Sequence, residues 1–138
     1  MGLIIDTSAI IELERNRSSW SAFLEVSKDE PVFLPSIVWA ELLVGVYMAR
    51  DVKQALNRRA WLDGLRAKVP VIPFSPAVAE VWAELFADLK KRGTPVPAND
   101  LCVLSTALHL GYHVVVGPKD EKHFQSVGRV KIIRIPGS

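Results

Sequence analysis

Cysteine is nearly missing from this chain of 138 residues, which contains only Cys102. One thiol cannot form an internal disulfide, and no cysteine pair is present for a zinc knuckle or ribbon. Long apolar runs are missing too, since no stretch approaches the roughly 18 apolar residues of a membrane span. The apolar start at Leu3 follows no basic segment and is cut short by Asp6, so we expect no signal peptide. These features predict a soluble protein of the cytoplasm.

Neither sign of charge dominates the sequence. There are 17 basic and 15 acidic residues, a net charge of +2, and 49% of the chain is hydrophobic. Such a chain is too apolar and too weakly charged to be disordered. Its length suffices for one buried core and not for two, so we expect a single domain over residues 1–138. The slight basic excess is compatible with a polyanionic partner.

Short apolar runs alternate with segments of helical spacing. The predicted strands are Leu3–Ile5, Val32–Leu34, Val71–Ile72, His113–Val116 and Val130–Ile135. Helices are expected from Asp6, over Ser18–Val26, Ser36–Met48 and Val52–Leu65, from Ser75 to Gly93, and from Asn99 to Leu110, with Ser36, Ser75 and Asn99 as N-caps. This alternation predicts an α/β domain of three layers, with a central parallel sheet flanked by helices. Ligands of such sheets bind beyond the carboxyl ends of the strands.

Several familiar site motifs are absent. No glycine cluster follows the first strand, which excludes the phosphate loop and the dinucleotide fingerprint. No serine lies in the glycine pattern of a nucleophile elbow, which argues against a serine hydrolase. The three histidines fall in separate segments, and Cys102 lies among apolar neighbours, as expected of a small buried residue. Acidic side chains are therefore the candidates for chemistry.

Four acidic residues stand out, although each has a structural explanation. Asp6 directly follows the first strand, where it could simply cap a helix. Glu41 is the only charged residue between Ser36 and Arg50, and it could form an exposed stripe or an ion pair with an arginine. Asp100 falls in the first turn of a helix, where the helix dipole favours an anion. Asp120 follows the fourth strand and could belong to a charged surface loop.

In one parallel sheet these four positions can converge on the same edge. Carboxylates gathered there repel one another unless a cation is supplied. Oxygen ligands without a cysteine or histidine cluster suit Mg²⁺ or Mn²⁺ better than zinc. Such a centre can activate water and neutralise phosphate oxygens, so the pattern predicts phosphoryl chemistry.

Four short motifs, taken in their order and separation, resemble the PIN-domain ribonucleases, and in particular the VapC-type toxins of bacterial toxin–antitoxin pairs. They are Leu3–Ala9, Pro35–Gly45, Pro97–Asp100 with Ser105–Ala107, and Lys122–Phe124 with Val127. The resemblance covers essentially the whole chain. It implies a PIN-like fold and an endoribonuclease that depends on Mg²⁺, with Mn²⁺ as a possible substitute.

The resemblance also implies roles for individual residues. Asp6 and Asp100 would coordinate the metal, and Glu41 and Asp120 would complete the acidic, catalytic pocket. Glu121 is the alternative to Asp120, because Gly117 and Pro118 follow the fourth strand where family members usually carry threonine or serine. Thr7 and Ser8 would orient a water or a ligand carboxylate. Implied partners are an RNA substrate, a cognate VapB-type antitoxin and a second copy of the chain, with the apolar helices over Ile37–Leu65 as contact surfaces.

Basic residues near the pocket would offset repulsion between phosphate and carboxylates. The sequence offers Arg15, Arg17, Arg50, Lys90, Lys91 and Arg92, although a solvated helix face is the better explanation of any one of them. A phosphate-receiving signalling domain is a poor alternative, because the third strand ends at Pro73-Phe74-Ser75 without an acid. The stronger alternative is a non-catalytic PIN-fold module that binds RNA or protein, which the three matching acids disfavour.

Overall fold

A five-stranded, fully parallel sheet forms the centre of the molecule. The structure is a computed structural model and describes residues 1–16, 22–23, 25, 27–118 and 121–135. The strands are β1 (Leu3–Ile5), β2 (Val32–Pro35), β3 (Val71–Ile72), β4 (His113–Val116) and β5 (Ile132–Arg134). Their order is β3-β2-β1-β4-β5, and every neighbouring pair is parallel. The predicted α/β class and parallel sheet are confirmed.

Six helices with defined bounds flank this sheet in the described part of the chain. They are α1 (Thr7–Arg15), α2 (Ser36–Tyr47), α3 (Val52–Lys68), α4 (Pro76–Lys91), α5 (Ala98–Leu110) and α6 (Glu121–Gln125). The segment that forms the short α6 was predicted to belong to a charged loop after the fourth strand. Of the helix predicted over Ser18–Val26, only residues 22, 23 and 25 are described, and these are helical. Among the described helices, none has the length and apolar character needed to cross a bilayer.

The core is built around β1 and β4. All three residues of β1 and the three valines Val114–Val116 of β4 are buried, and α5 packs Val103, Leu104 and Ala107 against them. A strand buried on both faces must be apolar throughout, which explains the continuous run at Leu3–Ile5. The chain continues to β2 and β3 on one side of β1 and to β4 and β5 on the other. The carboxyl ends of β1 and β4 therefore flank a topological switch point, where parallel sheets bind ligands.

Two predicted helix caps are wrong. Pro35, not Ser36, occupies the N-cap position of α2, because β2 extends to Pro35 through its pairing with Ile72. The Ser36 hydroxyl instead accepts a hydrogen bond from the Phe74 backbone N–H at 3.2 Å. Pro97, not Asn99, is the N-cap residue of α5, which leaves Asn99 inside the first turn.

Several of the other predicted boundaries hold, whereas α3 extends past the predicted Leu65 to Lys68 and β5 is shorter than predicted. Ser75 caps α4 by accepting from the Val78 N–H at 3.2 Å, and Pro76 is at the start of that helix. Gly93 and Gly111 follow α4 and α5 with φ of 70° and 71°, the left-handed conformation that ends a helix. Asp51 caps α3 after the break predicted near Arg50-Asp51. Helices α1 and α2 begin directly after β1 and β2, so both start at the carboxyl edge of the sheet.

Candidate active site

Asp6 lies at the switch point and is tied to two strands. Its backbone N–H donates to the Val115 carbonyl of β4 at 2.9 Å, and its side chain is 2% exposed. One carboxylate oxygen, Oδ2, accepts from the Ser8 N–H at 3.1 Å and from the Ser8 hydroxyl at 2.6 Å. The Ser8 hydroxyl in turn accepts from the Gly117 N–H at 2.9 Å, just beyond β4. Asp6 is thus the cap of α1, as predicted, and is held in a fixed position at the sheet edge.

Glu41 connects three helices. Its Oε1 accepts a hydrogen bond from the Thr7 hydroxyl of α1 at 2.8 Å. Its Oε2 lies 3.5 Å from the amide nitrogen of Asn99 on α5. Within the described part of the chain, Glu41 forms no ion pair with an arginine, which removes one structural explanation of this residue. The carboxylate is held by polar contacts directed towards the start of α1 and of α5.

Asp100 lies in the first turn of α5, as predicted. Its side chain is 18% exposed, and its Oδ2 lies 2.9 Å from Nδ1 of His123 on α6. The N-terminal end of a helix favours an anion, so the position itself stabilises the charged carboxylate. No pattern in the sequence indicated that His123 and Asp100 would be in contact.

One cavity of about 330 Å³ collects these side chains at the sheet edge. Its lining includes Asp6, Glu12, Arg15, Glu41, Asp100 and Gly117. The structure therefore places Asp6, Glu41 and Asp100 around the same space. Asp120 lies outside the described residues. Its alternative, Glu121, accepts from Gln125 at 2.9 Å and lies 3.4 Å from Arg134, and it does not line the cavity.

Glu12 is a lining residue that the sequence reasoning missed. It is 7% exposed, an unusual degree of burial for a glutamate, and it lies one helical turn beyond Ser8 on α1. The available signal was its spacing, since residues four apart on a helix share a face and Ser8 already followed the first acid. With Asp6, Glu41 and Asp100, Glu12 is the fourth acidic residue in the lining of the cavity.

The carboxylates of the cavity fit an Mg²⁺ ion that keeps several waters better than an ion enclosed entirely by protein ligands. Among the residues that the structure describes, no three His, Cys, Asp or Glu side chains lie close enough together to hold a metal ion. Mg²⁺ keeps several waters and is commonly bound through one or two carboxylates together with substrate phosphates. Asp6 and Asp100, both lining the cavity at its strand and helix ends, supply that number of carboxylates.

The described basic residues that were proposed from the sequence lie in three different places. Arg15 lines the acidic cavity, and Arg50 lines a separate cleft of about 500 Å³ beside α3. Lys90, Lys91 and Arg92 are at the far end of α4, where Arg92 pairs with Asp88 at 3.0 Å. Arg17 lies outside the described residues. Sequence reasoning missed Arg58, which lies 3.5 Å from Glu14 and lines an adjoining cavity together with Thr7 and Glu41.

Cys102 lies on α5, near enough to Glu41 of the acidic cavity for the charge of Glu41 to affect the pKa of the thiol. Burial raises the pKa of its thiol, and the negative charge of Glu41 adds to that rise. A hydrogen bond with Trp82 lowers the pKa of Cys102 and partly opposes both effects. The thiol is therefore a neutral group that is only partly buried, where the sequence predicted a buried one, and the Glu41 charge contributes to its raised pKa.

Comparison with known protein families identifies the family of this chain. The sequence profile of the PIN domain matches residues 3–130, which include strands β1 to β4 and every described acid of the cavity. The chain belongs to the PIN domain family. The resemblance inferred from short motifs is confirmed, and so is the PIN-like fold.

Individual PIN-domain relatives match over nearly their whole length. Ribonuclease VapC1 of Rickettsia felis is 30% identical over 92% of this chain and 93% of its own. The structure of VapBC-1 from nontypeable Haemophilus influenzae superposes with a TM-score of 0.80, at 26% identity over 97% of this chain and 98% of the other. VapBC-5 of Mycobacterium tuberculosis, a member of the VapBC family of toxin-antitoxin systems, superposes with a TM-score of 0.74 at 25% identity, over 98% and 100% of the two chains. These relatives place the chain with the VapC-type ribonucleases of the PIN family.

Proposed function

We propose that this chain is an endoribonuclease that depends on Mg²⁺ or Mn²⁺ and acts as the toxin of a toxin–antitoxin pair. The observation that carries the proposal is the convergence of Asp6, Glu41 and Asp100 on one cavity at the switch point of a PIN-fold sheet. The relative of Rickettsia felis is named a ribonuclease over the same length, which supports RNA as the substrate. In this proposal Asp6, Glu41 and Asp100 are the catalytic acids, together with Asp120.

The roles of the side chains follow from their contacts. Asp6 and Asp100 would hold the cation, which supplies an activated water and neutralises charge on the scissile phosphate. Glu41, held by its hydrogen bond from Thr7, would orient a water that faces the cavity or accept a proton from that water. Arg15 lines the same cavity and would contact the phosphate backbone, which offsets the repulsion between phosphate and carboxylates.

Replacing Asp100 by asparagine tests the proposed site. Asp100→Asn removes one negative charge at nearly constant volume, so we expect loss of RNA cleavage and much weaker Mn²⁺ binding with a melting temperature close to that of the wild type. Asp63→Asn is the matched control, because Asp63 is an exposed acid on α3 that pairs with Arg59 away from the cavity. Titration calorimetry with Mn²⁺ and cleavage of labelled RNA measure both effects. Full activity of Asp100→Asn would remove this residue from the mechanism.

The same assay separates catalysis from binding alone. A non-catalytic PIN-fold module would bind labelled RNA without cleaving it, whether or not Mg²⁺ is added. Cleavage that requires the divalent ion and disappears with chelator supports the enzyme. Binding of RNA without cleavage under both conditions would overturn it.

We also propose that the chain forms a homodimer and binds a cognate VapB-type antitoxin. The α2–α3 corner exposes five large apolar side chains, Val44, Tyr47, Met48, Val52 and Leu56. Exposed apolar clusters of this kind mark protein interfaces. Light scattering of the purified chain should give the mass of a dimer, and a strictly monomeric species would contradict the dimer. For the antitoxin, we expect a short upstream reading frame whose product copurifies with this chain.

A further inference from the structure

His123 contacts Asp100, one of the two proposed metal ligands. His123 belongs to α6, which contributes no residue to the lining of the acidic cavity. The two side chains approach to 2.9 Å between Nδ1 and Oδ2, across 23 residues of sequence. An ionised carboxylate only accepts hydrogen bonds, so Nδ1 of His123 must carry the proton and donate it. This bond requires a proton on Nδ1 of the histidine and restricts the rotation of the carboxylate.

The backbone around His123 is held firmly enough for this bond to matter. The next residue, Phe124, is fully buried in the core. The Ser126 hydroxyl donates to the His123 carbonyl at 2.9 Å, which closes the last turn of α6. At the other end of the helix, Glu121 lies 3.4 Å from Arg134 of β5. His123 therefore extends from an anchored turn towards the first turn of α5.

We propose that His123 is a positioning residue that sets the orientation of the Asp100 carboxylate for the cation. The terminal torsion of an aspartate side chain is broad, so a carboxylate without a fixed donor samples many orientations. A carboxylate has about four acceptor positions, and one hydrogen bond from His123 leaves capacity for a metal. Donors that hold a metal ligand in this way raise metal affinity, and their loss typically weakens it about 10- to 100-fold. The inference rests on the proposed role of Asp100.

Two substitutions separate positioning from mere packing. In His123→Asn the amide nitrogen lies near the place of Nδ1 and can still donate, whereas His123→Ala removes the donor. His109→Ala is the matched control, because His109 is an exposed histidine on α5 that does not line the cavity. We expect the Mn²⁺ dissociation constant to rise roughly 10-fold in His123→Ala and to stay close to the wild-type value in His123→Asn and His109→Ala.

Cleavage and spectroscopy give independent readouts. Because His123 acts through Asp100, saturating Mn²⁺ should restore most of the cleavage rate of His123→Ala. In the metal-free wild type, ¹⁵N NMR should show the proton of His123 on Nδ1, a measurement that needs no variant to fold. Unchanged Mn²⁺ affinity in His123→Ala, equal losses in the alanine and asparagine variants, or an Nδ1 without a proton would each overturn the inference. Direct Mn²⁺–nitrogen coupling to His123 in pulsed EPR would overturn it as well.

Failure of this inference can be told apart from failure of the proposed function. If the wild-type protein binds no Mn²⁺ and cleaves no RNA, the metal-dependent enzyme itself is refuted, and the role of His123 with it. If the wild type binds Mn²⁺ and cleaves RNA while His123→Ala matches it at every Mn²⁺ concentration, only the positioning role is refuted.

Discussion

Gly117 is predicted to tolerate no side chain, because of the close approach between the end of β4 and the start of α1. A Cβ at this position would lie 2.6 Å from the Ser8 carbonyl oxygen and 2.9 Å from the Ser8 carbonyl carbon. Both are backbone atoms, which cannot rotate away as a flexible side chain could. Gly117 does not have a positive φ, so the requirement for glycine is one of space alone.

The cost of Gly117→Ala can be estimated from two losses. Moving the two segments apart breaks the 2.9 Å bond from the Gly117 N–H to the Ser8 hydroxyl, worth about 1 kcal/mol. Forcing a methyl group into a packed site typically costs about 1–3 kcal/mol more. We therefore expect a decrease of about 2–4 kcal/mol in the free energy of unfolding. At roughly 4 °C per kcal/mol, the melting temperature should fall by about 8–16 °C.

Urea denaturation and calorimetry of Gly117→Ala test this estimate, with Gly64→Ala as the control. Gly64 lies within α3 and has open space where a Cβ would be, so alanine there should be neutral or stabilising by up to about 1 kcal/mol. Because the Ser8 hydroxyl also donates to Asp6, cleavage by Gly117→Ala should fall more than the unfolded fraction explains. A loss of less than about 0.5 kcal/mol, within the range of ordinary surface substitutions, would refute the reasoning.

Two further predictions concern Glu41. Glu41→Gln should abolish cleavage. The melting temperature of the metal-free protein should stay equal or rise, because glutamine keeps an acceptor for Thr7 and removes repulsion among like charges. Strong destabilisation in thermal melts would instead indicate a structural role. The same variant should lower the pKa of Cys102, since the Glu41 charge contributes to raising it. Cys102 should then react faster with iodoacetamide at a fixed pH near 8, and an unchanged rate would contradict the coupling.

Hydrophobic periodicity was sufficient to predict the fold class and the elements that carry the acids. Leu3–Ile5 is apolar because β1 is buried on both faces, and Asp6 must then emerge at the sheet edge. The N-cap of α2 was harder to predict, because strand pairing decided it. Pro35 pairs with Ile72, so α2 begins only after it, and the Ser36 hydroxyl becomes free to bind Phe74. Local preference for serine at a cap yields to the pairing between strands.

The contacts within the site were less predictable than the elements. Glu12 is an ordinary helix residue by sequence, and its burial is a result of tertiary packing that helical spacing alone does not reveal. The pairing of His123 with Asp100 depends on the placement of α6, whose five residues are too few for a periodic signal. Strand order, which places β1 beside β4 and creates the switch point, is likewise a property of the whole sheet.

The two explanations of Asp6, helix cap and catalytic ligand, are compatible in this structure. Both bonds from Ser8 end on the single oxygen Oδ2, so capping α1 engages one side of the carboxylate. A carboxylate has two oxygens and can accept at both, which lets the same group cap a helix and bind a cation. The bonds from Ser8 also offset the cost of burying the charge in the metal-free protein. A residue that stabilises α1 in this way is held in place before any cation arrives, and we expect this preorganisation to favour binding of the ion.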